Sequence, residues 1–408
     1  MERHEHDTLD ALTRDPYPHY ARARGVEGLT FVPELDAWLI ARDADVREVL
    51  RRPDEFSSAN ALRPDVLPSP AVLAELGKGF GGRPVVVTSD GETHQRLRAP
   101  IVQGLSPARV AAIIPYMTEQ AELLVDALVR EGGGTAELMG AYATKLPGRV
   151  IGRLIGLDPA DVPVAVRGGH RAEELLFRPL DPAEQLAAAR DVVTMQRLLD
   201  RCIRERRAEP RDDLCSGLLE ALAPGTGDLT LDERHEVVAH LQNFLLAGHL
   251  TTTALIGTTL LHLLSHRPQW ERLCAEPELI PQAIEEAARY DTALQGFRRI
   301  TTRTVTLSGT ELPPGTAVFV AYGSANRDAL RYDRPDAFDI TRRGSRHLAF
   351  GYGVHACPGV QLAREQLRLT VGLFARRLPG LRLADDRPVE MRPTMIHRSP
   401  AAVHLAWA

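Results

Sequence analysis

Residues 350–359 read Phe350-Gly351-Tyr352-Gly353-Val354-His355-Ala356-Cys357-Pro358-Gly359, and this stretch decides how the rest of the chain is interpreted. A helical pattern follows it directly, from Gly359 to Arg377. Glycines around a single cysteine let the backbone turn tightly and bring amide groups towards its sulfur, and the start of a helix stabilises negative charge. The stretch indicates a thiolate at a helix N-terminus or, at its plainest, a buried cysteine in a glycine-rich turn.

The same residues also satisfy a loose dinucleotide-binding pattern, Gly351-x-Gly353-x-x-Ala356. That pattern binds a nucleotide only inside a βαβ unit, with an acidic residue about 20 positions further on. Only the short run 346–350 precedes the glycines, and no suitable unit follows. A nucleotide site is therefore not expected.

This ten-residue stretch resembles the haem-binding loop of the cytochrome P-450 family, in which a phenylalanine, two glycines, a basic residue, the ligating cysteine and a following glycine recur at this spacing. The resemblance implies a mainly α fold with minor β structure, a triangular helical prism enclosing haem b, with residues 1–408 as a single domain. It implies that Cys357 is the axial thiolate ligand of the haem iron. Phe350 and Gly351 would lie beside the cofactor, and His355 near a haem propionate.

A second family element is Glu286-Ala-Ala-Arg289, upstream of the cysteine loop. Residues three apart share a helix face, so the two side chains can form an ion pair. Many solvated helices carry such pairs, and alone the pattern is weak. The resemblance gives Glu286 and Arg289 a structural role, bracing the core beside the haem.

A third element is His94-Gln-Arg-Leu-Arg98, which follows a helix start at Asp90. His94 and Arg98 lie one turn apart and could hold a carboxylate together, although a solvated basic face is the plain alternative. By resemblance, both contact haem propionates. Arg299 and His347 are expected to do the same from later segments.

The longest helical pattern runs from Leu231 to Ser265 and begins with the capping sequence Thr230-Leu-Asp-Glu233. Its central part is apolar and long enough to span a membrane. Polar residues near its middle, among them Gln242 and Asn243, favour a buried helix beside a cavity. We expect a core helix.

The middle of this helix reads Ala247-Gly248-His249-Leu250-Thr251. A glycine inside a helix costs about 1 kcal/mol relative to alanine, so Gly248 indicates a close approach or a local distortion. By resemblance, Ala247, Gly248 and Thr251 form the oxygen-activating segment, where an acid normally precedes the threonine. Leu250 occupies the position of that acid and cannot relay a proton.

His249 is adjacent to Leu250 but about 100° round the helix, which makes it a poor substitute for the acid. Two alternatives stay open. Either waters and a polar substrate group supply the protons that dioxygen cleavage needs, or hydroxylation is not the outcome of the reaction.

Further helical patterns cover Ser106–Glu131, Ala183–Arg207 and Ile280–Tyr290. Strands are few and short, and we expect them at Leu29–Val32, Ala37–Ile40, Arg303–Leu307 and Ala317–Ala321. The turn sequence Pro313-Pro314-Gly315 predicts a hairpin between the last two.

Composition excludes several classes of protein. The chain has 408 residues, 44 % of them hydrophobic and 25 % charged, with a formal net charge of −5. This balance is that of a folded globular protein with no electrostatic reason to bind nucleic acid. The polar N-terminal sequence and the four cysteines favour a cytoplasmic protein without a disulfide framework and without a membrane anchor.

The expected function is that of a soluble bacterial-type haem-thiolate monooxygenase, which hydroxylates or epoxidises a medium-sized, partly polar natural product in secondary metabolism. The resemblance implies electrons from a ferredoxin and a NAD(P)H-dependent ferredoxin reductase, with arginines such as Arg96 and Arg364 attracting the ferredoxin. The protein would be a monomer, and its small-molecule substrate would be free or bound to a carrier protein. The alternatives are oxidative coupling or cyclisation without oxygen insertion, and a haem-binding protein without turnover.

The substrate pocket is drawn from segments that the family places around the haem. They mix apolar side chains with a few polar ones, as binding cavities do. The residues expected to line it are Phe177, His249, Leu250, Leu294, Gln295, Phe297, Met395 and Ile396.

Overall fold

The computed structural model describes residues 7–344, 346–384 and 388–407. Its contacts divide the chain into two compact units. Unit 1 comprises Met1–Ala61, Met117–Leu146 and Thr251–Ala408, and unit 2 comprises Leu62–Tyr116 and Pro147–Leu250. The single domain expected from the sequence stays a prediction.

Helices make up most of the regular structure, and the predicted helices are confirmed to within one residue at each end. In chain order the α-helices are α1 (Asp7–Arg14), α2 (Tyr17–Gly25), α3 (Asp43–Arg51), α4 (Pro70–Leu76), α5 (Gly91–Gly104), α6 (Pro107–Glu131), α7 (Lys145–Ile155), α8 (Val162–Phe177), α9 (Pro182–Ala208), α10 (Leu214–Leu222), α11 (Leu231–Ser265), α12 (Arg267–Ala275), α13 (Ile280–Tyr290), α14 (Tyr322–Ala325) and α15 (Val360–Arg377).

The strands all belong to unit 1. They are β1 (Thr30–Val32), β2 (Ala37–Ile40), β3 (Phe56–Ser57), β4 (Thr135–Glu137), β5 (Gly296–Thr301), β6 (Val305–Leu307), β7 (Thr310–Leu312), β8 (Ala317–Ala321), β9 (Arg382–Leu383) and β10 (His404–Ala406). The main sheet has the order β1-β2-β8-β5-β3, in which only the β2–β8 pair is parallel. A smaller sheet has the order β4-β10-β9.

The predicted hairpin between 303–307 and 317–321 is wrong. β6 pairs instead with β7 through Ser308 and Gly309, whose φ angles are +47° and +76°. Two adjacent residues in the left-handed region make the tight turn whose twist suits a hairpin. β8 is buried along most of its length and takes β2 and β5 as its neighbours, because a buried strand needs partners on both sides.

The core of unit 1 links the main sheet to the cysteine loop. One cluster of buried side chains combines α3 residues such as Val46 with β8 residues such as Val318, and Leu348 belongs to it. Leu348 lies just before the loop, and its backbone N–H donates to the Asn326 side-chain oxygen at 2.6 Å. Packing and this hydrogen bond together fix where the loop begins.

In unit 2, α8 and α9 pack closely, and a buried glutamine ties α9 to its surroundings. The Gln196 amide donates to the Gly81 carbonyl at 3.1 Å and to Gln242 at 2.9 Å, and its oxygen accepts from the Phe80 N–H at 2.8 Å. A buried amide with these partners stabilises a unique arrangement, since each lost partner would leave a desolvated polar group.

The helix α11 is long and apolar enough to cross a membrane, but 78 % of its most apolar window is buried inside the protein. Burial on nearly all sides is typical of the central helix of a large protein. The structure supports the core-helix prediction.

Candidate active site

The cysteine loop of unit 1 is closed by a backbone hydrogen bond from the Cys357 N–H to the Phe350 carbonyl, at 2.8 Å. Gly351 and Gly353 have φ angles of +69° and +73°. A Cβ atom on Gly353 would lie 2.5 Å from the Leu50 carbonyl oxygen, which no side chain tolerates. The loop therefore takes this shape only with glycine at that position.

The Cys357 side chain is partly exposed and forms no disulfide within the described part of the chain. Helix α15 begins three residues later, and the Arg364 guanidinium on its second turn interacts electrostatically with the thiol. A helix start and a nearby guanidinium both favour a thiolate. The role of Cys357 as the ligand of a haem iron stays a prediction.

An acid that sequence reasoning missed lies beside this loop. Arg364 donates two hydrogen bonds to the Glu285 carboxylate, at 2.8 and 2.7 Å, and Arg364 also lies over the Phe350 ring at 5.4 Å. Burial raises the pKa of Glu285, but the hydrogen bonds from His347 and Arg364 outweigh burial and hold the pKa at about 2. Its only signal in the sequence was its place on the helix next to Glu286.

His347 makes two hydrogen bonds within the protein. Its Nδ1 accepts from the Ala349 N–H at 3.2 Å, so in the neutral ring the proton is on Nε2, which donates to Glu285 at 3.2 Å. Both ring nitrogens are engaged by protein groups. The expected contact between His347 and a propionate stays a prediction.

Arg299 on β5 is 3 % exposed, so its guanidinium is almost fully removed from water. It donates to the Arg298 carbonyl at 2.7 Å and bonds to Tyr322, but among the described residues no carboxylate forms an ion pair with it. A buried cation normally requires an anion. Arg299 is therefore suited to a carboxylate supplied by a ligand.

His355 lies in the cysteine loop, and its Nε2 is 2.9 Å from the Ser58 hydroxyl oxygen. The side chain is only partly buried. This contact fixes the ring beside the segment that follows β3. His355 is thus held next to Cys357 by a partner distant in sequence.

Glu286 and Arg289 form a buried ion pair, with side chains 1 % and 0 % exposed. Arg289 donates to both carboxylate oxygens at 2.7 and 2.8 Å. It also donates to the carbonyls of Asn326, Pro335 and Ala337 at 2.9, 2.8 and 3.1 Å. The pair fixes the chain segment that leads to the cysteine loop.

In unit 2, His94 lies on α5 and is buried, and Arg98 lies one turn further along the same helix. Burial lowers the pKa of His94, and the positive charge of Arg98 lowers it further. His94 is therefore neutral at physiological pH. The two residues share a helix face, as the sequence predicted.

Gly248 on α11 has the close neighbour that the sequence indicated. A Cβ atom there would lie 2.5 Å from the Ile151 Cδ1 atom of α7. Leu250 is buried, while Thr251 is partly exposed. The position that the family gives to an acid thus holds a buried apolar side chain.

His249 faces α7 and α8. It is 1 % exposed, its ring centroid is 4.9 Å from that of His170, and a Cβ atom on Gly148 would be 3.5 Å from its ring. Ala247, the other residue predicted for this part of the site, precedes His249 by two positions on α11. Gly148 and His170 are thus close neighbours of the His249 ring.

The two segments of unit 1 that were expected to line the pocket lie side by side. Leu294 pairs with His397 in an antiparallel bridge, and the Gln295 N–H donates to the Ile396 carbonyl at 2.7 Å. Met395 is buried, and Phe297 packs partly buried against the main core.

Two residues predicted to line the pocket, Gln295 and Phe177, are buried in the protein. The Gln295 amide is buried and donates to the Thr292 carbonyl at 2.6 Å, so part of its hydrogen-bonding capacity is taken up by the protein. Phe177 is buried in unit 2, at the end of α8. Their roles towards a substrate stay predictions.

Comparison with known proteins places these features in one family. The family model described as Cytochrome P450 matches residues 173–398. The chain is 35 % identical over 380 residues to Cytochrome P450 107B1 of Saccharopolyspora erythraea, covering 92 % of this chain and 90 % of the relative. It is 32 % identical over 408 residues to Nocardicin C N-oxygenase of Nocardia uniformis subsp. tsuyamanensis, covering 98 % and 97 %.

Among solved structures, cytochrome P450 CREJ in complex with (4-ethylphenyl) dihydrogen phosphate matches with a TM-score of 0.91 and 28 % identity, over 97 % of both chains. The mainly α fold with minor sheet is therefore the fold of that family. Its members bind haem b and are oxidoreductases. The cysteine loop, the buried Glu286–Arg289 pair and the agreement over nearly the whole chain lead to one conclusion: the chain belongs to the cytochrome P450 family and is a haem-dependent oxidoreductase.

Proposed function

We propose that this enzyme inserts one oxygen atom from dioxygen into a medium-sized, partly polar natural product of secondary metabolism, by hydroxylation or epoxidation. The observation that carries the proposal is the closed glycine loop that presents Cys357 at the start of α15. The name of the relative Nocardicin C N-oxygenase supports a natural product as substrate class.

The residues present fit haem b. The donor set combines one partly exposed cysteine with the buried guanidinium of Arg299, for which the described residues supply no carboxylate. Haem requires an axial ligand for its iron and cationic or hydrogen-bonding partners for its two carboxylates. Bound there, it would supply the activation of dioxygen.

Each residue of the set has a proposed role. Cys357 would hold the iron through its thiolate, and Phe350 and Gly351 would shield the sulfur from water. The propionates would be held by Arg299, His94, Arg98 and His355, with His347 as a further candidate. Glu286 and Arg289 act through the backbone they fix and are positioning residues.

Electrons would come from a ferredoxin and its NAD(P)H-dependent reductase, as is general for bacterial relatives. In the structure, both arginines that were expected to attract the ferredoxin are paired with a carboxylate. Arg96 is 2.5 Å from Glu236, and Arg364 is paired with Glu285, so each positive charge is partly compensated. We propose a monomeric, cytoplasmic protein of one domain, whose substrate is free or carried by a carrier protein.

The second candidate is oxidative coupling or cyclisation of the substrate without oxygen insertion. Leu250 favours it, because an apolar side chain stands where the family places the acid of the proton relay. A protein that binds haem without turnover is not supported by the relative Nocardicin C N-oxygenase, which is named as an oxygenase.

Two measurements test the proposal. The first is the absorption spectrum of the reduced, CO-bound protein, in which Cys357→Ser should abolish the band typical of thiolate-bound haem. Cys274→Ala is the matched control, since Cys274 is also partly exposed but lies on α12, and the band should persist.

The second measurement is turnover under ¹⁸O₂ with a surrogate ferredoxin and reductase and candidate substrates. A product that contains one labelled oxygen atom supports insertion. A product with a new bond between two substrate atoms and no label would establish coupling instead. Absence of substrate-dependent NADPH consumption with every candidate would count against both reactions.

A further inference from the structure

The carboxylate of Glu285 on α13 joins two side chains of the region around the cysteine loop. It accepts two hydrogen bonds from the Arg364 guanidinium, at 2.8 and 2.7 Å, and one from Nε2 of His347, at 3.2 Å. Arg364 belongs to α15 and His347 precedes the loop, so one acid ties together three segments of unit 1. Two parallel hydrogen bonds between a guanidinium and a carboxylate fix the relative orientation of the two groups.

Both partners of Glu285 contact the ring of Phe350, the first residue of the loop. The guanidinium carbon of Arg364 lies 5.4 Å from the ring centroid, and the centroid of the His347 ring lies 5.9 Å from it. The Phe350 carbonyl in turn accepts the hydrogen bond from the Cys357 N–H at 2.8 Å. Glu285 therefore acts on the surroundings of Cys357 through Arg364 and His347.

The charges of Glu285 and Arg364 compensate each other. Arg364 is the first charged residue of α15, seven positions after Cys357, and its charge interacts with Cys357. Glu285 is ionised at neutral pH, because its pKa is about 2. The two side chains are 35 % and 29 % exposed, so solvent screens their field only in part. Together they add no net charge beside the loop.

The role of this pair differs from that of the adjacent Glu286–Arg289 pair. Arg289 donates to three backbone carbonyls and so fixes the path of the chain. Both hydrogen bonds that Arg364 donates within the described part of the chain go to the Glu285 carboxylate. The first effect of removing Glu285 is therefore a positive charge without its counterion.

We propose that Glu285 is a positioning residue that sets the reduction potential of the bound haem, by fixing the Arg364 guanidinium beside the cysteine loop and compensating its charge. This inference rests on the proposed function, in which the Cys357 thiolate holds the iron. Reduction adds one electron, and therefore one negative charge, at the position of the haem. A positive charge nearby raises the potential and a negative charge lowers it.

The experiment is a redox titration of the full-length haem-loaded protein with dithionite, followed by haem absorbance. We expect a more positive potential in Glu285→Gln, because the charge of Arg364 is then uncompensated. Arg364→Met leaves the negative charge of Glu285 and should shift the potential to more negative values. The double variant again has no net charge at this place, and its potential should return close to that of the wild type.

Two variants serve as controls. Arg368→Met removes the same charge one turn further along α15, where Arg368 pairs with Glu365 at 2.7 Å, and should shift the potential less than Arg364→Met does. Glu285→Asp keeps the negative charge and should shift the potential less than Glu285→Gln does. A loosened loop would move the potential of Glu285→Gln and Arg364→Met in the same direction, so the opposite signs separate the effect of charge from a structural one.

The spectrum of the reduced, CO-bound protein shows for each variant whether thiolate ligation is intact. The proposal is overturned if Glu285→Gln and Arg364→Met retain the band of thiolate-bound haem but have the wild-type potential, or if both shift it in the same direction. If one of the two variants loses the band, the sign of the shift in the other decides. Absence of the band in the wild-type protein overturns the proposed function and this inference with it.

Discussion

The buried Glu286–Arg289 pair allows a prediction of stability with a magnitude. Arg289→Met keeps most of the side-chain volume but removes both hydrogen bonds to Glu286 and leaves three backbone carbonyls without their donor. Glu286 would keep the Asp339 N–H at 2.9 Å and Arg342 at 3.1 Å. Breaking a buried pair by removing one partner costs about 3–5 kcal/mol. We expect the free energy of unfolding to fall by about that amount.

The assay is denaturant unfolding of the haem-loaded protein, followed by far-ultraviolet circular dichroism and by haem absorbance. The matched control is Arg272→Met, because Arg272 on α12 also pairs with a glutamate close in sequence, Glu276 just after the helix, but the two side chains are 50 % and 43 % exposed. Exposed pairs contribute about 0–1 kcal/mol. The reasoning is refuted if Arg289→Met lowers the free energy of unfolding no more than the control does. It is also refuted if the double variant Arg289→Met, Glu286→Gln recovers the full wild-type free energy of unfolding.

Three further predictions concern the loop and the relay. The folded pKa of Glu285 is about 2, below its ordinary value of 4.5. The stabilising contribution of Glu285 is therefore complete above pH about 4.5 and is lost as the pH falls towards 2. The difference in Tm between wild type and Glu285→Gln should be constant above pH 5 and shrink below it. Gly353→Ala should reduce stability by at least about 1–2 kcal/mol in denaturant unfolding, and Gly315→Ala by less, since both glycines have positive φ but only Gly353 faces a backbone oxygen at 2.5 Å. Leu250 cannot work with Thr251 as an acid would. Thr251→Ala should therefore lower the product formed per NADPH oxidised by much less than the roughly 10²-fold contribution of a general acid, and Leu250→Glu should lower this ratio or change the product. A large loss in Thr251→Ala with no change in Leu250→Glu contradicts this reasoning.

The helices could be predicted well from the sequence because their signal is local. The pattern of α11 fixed its limits at Leu231 and Ser265, and that of α13 at Ile280 and Tyr290, as the structure has them. Apolar spacing and end residues act within a few turns, so they are readable without knowledge of partners. The strands were less predictable, because β5 was missed and the hairpin of β6 was assigned to β8.

Strand pairing is a tertiary property. β8 is an apolar run that suits any neighbour, and its actual partners are β2 and β5, which are distant in sequence. The turn sequence Pro313-Pro314-Gly315 indicated a reversal but did not specify which strands it joins. Only the packing of the whole sheet on α3 decides which strands pair with each other.

The sequence by itself indicated the family and the expected chemistry of this protein, because Cys357 with its glycines and the Glu286–Arg289 spacing are local patterns that are specific when they occur together in this order. The tertiary structure alone decided which charges meet. It paired Glu285 with Arg364 and His347, and it left Arg299 buried without a carboxylate among the described residues. Contacts of this kind depend on how helices and strands far apart in the chain pack against each other, and no local pattern records that packing.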